Sequence, residues 1–128
     1  MTEMQGPGTS ALSAVSNALV KLHKEQFGRG PTSARSHFAG PDMLVCMMQD
    51  ALLPAELKLV ALGDEARVRD TRTAYQAATA GEFITAIEQI VDREVHAFAS
   101  GIDAKTSTVF ETFYFNPRES STDDEPDR

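Results

Sequence analysis

The hydrophobic positions change period along the chain, and each change predicts an element boundary. From Ser10, read as an N-cap, Leu12, Val15, Leu19 and Leu22 recur at three- and four-residue intervals, with Ala11, Ala14 and Ala18 beside them. This predicts an amphipathic helix ending near Phe27. Its spacing is also that of a coiled-coil seam, so it can pack on its own sheet or on a second copy. Phe27-Gly28-Arg29-Gly30-Pro31 then forces a turn, because Gly28 and Gly30 can take positive φ and Pro31 cannot continue a helix. Thr32 to Phe38 mixes small or polar residues with occasional apolar ones, and Gly40-Pro41-Asp42 predicts a tight turn. The run Met43 to Met48 reads as a strand buried on both faces and completes a hairpin.

Further along, Pro54 and Glu56 suit the first turn of a short helix over residues 54–62, with Leu57, Val60 and Ala61 as its apolar face and Gly63 as its stop. Asp64 can cap a long helix to Val91, in which Val68, Thr71, Tyr75 and Ala78 form one stripe. Phe83, Ile84, Ile87, Ile90 and Val91 continue the core side, and Gly81 costs only about 1 kcal/mol relative to Ala. Beyond Val91 the period admits two readings. Arg93 to Ala99 either extends the helix through Val95 and Phe98, leaving three strands, or forms a strand of its own. Thr108 to Phe115 is aromatic and β-branched and reads as a strand ended by Asn116-Pro117.

Composition narrows the function classes. A chain of 128 residues with 41% hydrophobic content predicts one domain over residues 10–117, between a disordered arm at 1–9 and an acidic disordered tail at 118–128. The formal charge of −7 argues against nucleic acid and against docking on anionic lipid by charge alone. Much of that charge sits in the tail, which carries Glu119, Asp123, Asp124, Glu125 and Asp127. The lone cysteine, Cys46, cannot form an internal disulfide and suits a reducing cytoplasm. Met1-Thr2-Glu3-Met4 lacks the basic start of a signal peptide, and the longest apolar run is too short to span a bilayer. The expectation is a cytoplasmic protein without direct membrane insertion, at most peripheral to the inner face of the membrane.

The chemically distinctive residues are basic. Arg69, Arg72 and Gln76 lie at i, i+3 and i+7 of the long helix, and with Arg29 and Arg35 they could present guanidinium forks to a carboxylate, bicarbonate or phosphate. The competing reading pairs these arginines with Glu56, Asp64, Asp70 or acids of a second subunit. His23, His37 and His96 fall in different elements. A metal site of His37, Asp42 and Cys46 can be drawn, but the strand reading buries Cys46. Glu88, Asp92 and Glu94 show no sign of a shared cleft, no elbow motif supports Ser-His-Asp chemistry, and Met43, Met47 and Met48 read as adaptable core packing. Neither a cofactor nor an enzymatic activity is expected.

Taken in order, the series Gly28-Arg29-Gly30-Pro31 with Ala34-Arg35, Leu52 with Pro54 and Glu56, Val68-Arg69-Asp70-Thr71-Arg72 with Tyr75-Gln76, then Phe83, Ile87-Glu88, Arg93, Val95, Phe98 and the strand Val109 to Phe115 resembles the MpsC-like family. That family is named for the C component of a Na+-translocating membrane-potential-generating system and was long a domain of unknown function. The resemblance covers Leu19 to Phe115. Members carry Thr where this chain has Leu53, and Gly at the end of the long helix where it has Asp92. Asp can take the left-handed conformation that ends a helix, which favours the strand reading of Arg93 to Ser100, with a loop at Gly101 to Lys105. The expected fold is therefore α+β, ordered α-β-β-α-β-β, with a four-stranded, mainly antiparallel sheet and two main helices on one face. The resemblance implies a non-enzymatic accessory or regulatory module of an ion-translocation or inorganic-carbon uptake system, with a membrane transporter subunit as partner. The spare face of the first helix and an incompletely covered sheet predict a homodimer. The alternative is a protein that senses a small anion or nucleotide through the arginine cluster.

Overall fold

The computed structural model of the protein describes residues 7–117, with side chains from residue 11 onward. The elements are α1 (Pro7–Phe27), β1 (Ser33–Phe38), β2 (Met43–Gln49), α2 (Pro54–Ala61), α3 (Glu65–Val91), β3 (Val95–Asp103) and β4 (Thr108–Phe115). They make the expected α+β fold, with every neighbouring pair antiparallel and strand order β1-β2-β4-β3. The acidic tail and residues 1–6 of the expected arm lie outside the described residues. Residues 7–9 belong to α1, so Ser10 is inside the helix rather than its cap; Pro7 suits a first turn because the amide hydrogen it lacks has no partner there.

The end of α3 settles the ambiguous stretch. Asp92 adopts φ 59, ψ 43, the left-handed conformation, and its N–H donates to Glu88 O at 2.9 Å. A helix cannot continue through that geometry. The Glu88 carboxylate then accepts from Val95 N–H at 2.9 Å and turns the chain into β3. The strand runs past its expected end at Ser100, so Gly101 lies within it, opposite Phe110.

One face of the sheet carries the core. Leu44, Cys46 and Met48 of β2 and Val109, Phe113 and Phe115 of β4 pack with Val15 and Leu19 of α1 and Phe83 and Ile87 of α3. Phe83, Phe98 and Phe113 stack in sequence, with centroids 5.8 and 4.6 Å apart. Met43, Val45 and Met47, on the other face of β2, are only half-buried. The expectation of burial on both faces fails there because the helices cover one side alone.

Two helical faces also differ from expectation. In α2 it is Leu59 and Val60 that pack on Leu52, Val68 and Ala104, while Leu57 is exposed. In α3 the inward row runs Val68, Arg72, Gln76, Thr79, Phe83 and Ile87, whereas Thr71, Tyr75 and Ala78 are exposed. Its middle turns Arg72 inward, where Glu56, Ala51 O and His23 receive the guanidinium.

Candidate functional site

The turn after α1 positions the first basic residue. Gly28, at φ 84, closes the helix with its N–H on Lys24 O at 2.8 Å. Of the two glycines only Gly28 uses the left-handed region; a Cβ on Gly30 would meet Val20 Cγ1 at 3.5 Å, an ordinary contact. Past Gly30, Pro31 leads the chain toward β1. Arg29 then reaches across the turn and donates to Leu52 O at 2.9 Å and to Asp50 at 3.3 Å.

Arg72 is the hub of the interior. Its Nε and Nη2 form a fork on the two oxygens of Glu56 at 2.8 and 2.6 Å, and Nη2 also donates to Ala51 O at 3.0 Å. Its Nη1 lies 3.0 Å from His23 Nε2, and its guanidinium sits 3.9 Å from the centroid of the Phe27 ring. An arginine only donates, so His23 Nε2 accepts and the imidazole hydrogen is on Nδ1. Burial and the Arg72 charge lower the His23 pKa to about 4, so the ring is neutral near pH 7. Burial works against ionised Glu56, yet the hydrogen bonds from Arg72 and from Leu53 N–H, at 2.7 Å, hold its pKa below the ordinary value. Four of the five Arg72 N–H groups are thus engaged by groups of the protein itself.

Beside this hub lies a cavity of about 190 Å³. His23, Gln26 and Phe27 of α1 form one wall, the Arg69, Arg72, Gln76, Thr79 and Phe83 row of α3 a second, and Phe98, Ser100, Ile102, Val109 and Glu111 of the sheet the floor. Arg69 marks one end, donating to Ile102 O at 2.9 Å, and the Phe83–Phe98 stack marks the other. Between them Glu111, paired across the strands with Ser100, is 5% exposed. Burial raises its pKa to about 7, with Ser100 and the Arg72 charge pulling the other way. Two buried polar atoms of cavity-lining residues have no hydrogen-bond partner among the described residues, Glu111 Oε1 and Gln26 Nε2, while His23 Nδ1 lies toward the backbone carbonyl of Arg29, too loosely placed for a full hydrogen bond.

The sequence-predicted residues divide accordingly. Arg69, Arg72 and Gln76 meet at the cavity, and Arg29 lies behind His23. Arg35 lies apart, exposed on β1 in a shallow groove with Ser13 and Asn17 of α1. The metal set drawn on the sequence does not assemble: His37 is exposed, Asp42 binds Arg93 at 2.6 Å, and Cys46 is in the core. His23, Gln26 and Glu111 were missed. Glu111 carried a signal, since it shares strand parity with the core residues Val109, Phe113 and Phe115. Arg93, which enters the sequence pattern only through the family resemblance, is a buried clamp that donates to Pro41 O at 2.7 Å and Asn116 O at 2.9 Å as well as to Asp42.

No helix of the described residues is long and apolar enough to cross a membrane. Neither the curated proteins nor the solved structures contain a match to this chain. Among protein families, residues 9–117 match one described as the Na+-translocating membrane potential-generating system, MpsC. That match spans most of the chain, including α3, the cavity and the whole sheet, and the protein belongs to the MpsC family.

Proposed function

We propose that the protein is a non-enzymatic accessory or regulatory module of a membrane ion-translocating system, working as a homodimer from the cytoplasmic side. The observation that carries this reading is the one-sided sheet. Its helix-free face presents Met43, Val45 and Met47 beside Phe110, Thr112 and Tyr114, with Ala97 and Ala99 on β3. An apolar face of this kind is covered when a partner docks.

Its edges favour a second copy. β1 carries exposed Arg35 at one edge, and β3 carries exposed Asp103 at the other. A twofold axis parallel to the strands lays the β1 edge of one copy over the β3 edge of its mate, so unlike charges meet around an apolar centre. Family membership supplies the link to Na+ translocation. An affinity pull-down from membranes, with subunits identified by mass spectrometry, tests the accessory role. Recovery of an integral membrane subunit of an ion-translocating system supports it, and recovery of none contradicts it.

The cavity favours a second reading, a small-ligand sensor. Arg69, Arg72 and Gln76 line it together, as an anion site requires. Arg72 is held by Glu56, which leaves Arg69 as the guanidinium nearer to solvent: its side chain is about half exposed, and an incoming anion would compete with its ion pair to Glu65 at 3.6 Å.

A further inference from the structure

The cavity between α1, α3 and the sheet contains more recognition chemistry than its arginines. We propose that it takes a planar, single-ring lactam or carboxamide, whose N–H donates to Glu111 and whose carbonyl accepts from Gln26. This rests on the small-ligand reading and specifies its chemistry.

Size comes first. An apolar cavity of about 150 Å³ holds a benzene ring, so one of about 190 Å³ admits a single ring with small substituents. Drug-sized ligands occupy about 300–1,000 Å³, so the phosphates of a nucleotide would lie outside. Shape comes from the aromatic residues: Phe27, Tyr75, Phe83 and Phe98 all line the space, and flat rings pack well against such walls.

Polarity decides the class. The unmet atoms are one acceptor, Glu111 Oε1, and one donor, Gln26 Nε2, whereas His23 Nδ1–H is directed at the backbone carbonyl of Arg29. Glu111 is 95% removed from solvent. Leaving such groups unpaired costs about 1–3 kcal/mol each. A carbonyl offers an acceptor and an adjacent N–H a donor, which complements this pair atom for atom. A simple carboxylate or phosphate would answer the donor but brings no N–H of its own to Glu111 Oε1.

The experiment is an NMR titration of the full chain, following backbone amides and the Gln26 side-chain amide. The probes are 2-pyridone and nicotinamide, with N-methyl-2-pyridone, benzoate and inorganic phosphate as comparisons. The expected result is saturable binding of 2-pyridone at cavity residues, weakened roughly tenfold or more by N-methylation or by Glu111→Leu. The variant replaces a buried carboxyl, whose polar neighbour across the strands is Ser100, by an apolar group, and its dispersed spectrum checks that it folds. Equal affinity for 2-pyridone and its N-methyl form, or undiminished binding by Glu111→Leu, overturns the proposal. Benzoate or phosphate binding at the cavity without 2-pyridone binding overturns it too, while leaving the anion-sensor reading standing. No perturbation by any probe overturns both.

Discussion

Glu111 and Arg72 show how two buried charges can pull stability in different directions. Glu111 faces Arg72 and Arg69 on α3, His23 on α1 and Cys46 on β2. Its pKa is raised from 4.5 to about 7, so between those values the folded protein binds more protons than the unfolded chain and stability falls as pH rises. His23 does the reverse between about 4 and 6.5, because it must stay neutral when folded. Glu111→Gln removes the first slope alone. Its melting temperature should match the parent's near pH 5 and exceed it at pH 8, by about 1–3 kcal/mol of stability, in thermal scans across pH. Arg72→Met should cost about 3–5 kcal/mol in urea unfolding, because Glu56 is left buried without its partner. The helical spacing of Arg69, Arg72 and Gln76 made their shared stripe legible in the sequence. The conjunction of His23, Gln26 and Glu111 was not, because it arises only when α1 and α3 pack side by side over the sheet and enclose a cavity above β4.

Among the elements, chain punctuation was the most readable feature. Gly28 does end α1, Asp64 does cap α3, its Oδ1 accepting from Arg67 N–H at 3.3 Å, and Asp92 does stop the long helix. Faces were harder. The row Val68, Thr71, Tyr75 and Ala78 looked like the apolar side of α3, but its middle faces a polar cavity, and hydrophobic periodicity cannot register an inward Arg72 or Gln76. Likewise, the apolar run of β2 looked buried on both sides because sequence does not show which sheet face the helices leave open. Asp92 sits at φ 59, where glycine is free of the Cβ penalty. Asp92→Gly should therefore stabilise the fold by about 0.5–1 kcal/mol, measured as a higher urea midpoint at unchanged slope.

For the molecule as a whole, α1 and α3 cover one side of an antiparallel sheet, and the other side is left with Met43, Val45, Met47, Phe110 and Tyr114. The architecture was legible because α-β-β-α-β-β with two long amphipathic helices has few compact solutions. The central claim is that the bare face is where two copies meet. Light scattering at low micromolar concentration, comparing the parent with a Val45→Asp, Met47→Asp double variant of unchanged circular dichroism, tests this most directly. The account predicts a mass about twice the 13.9 kDa of one chain for the parent and that of one chain for the variant. A single-chain mass for the parent, or a double mass for both, would contradict it.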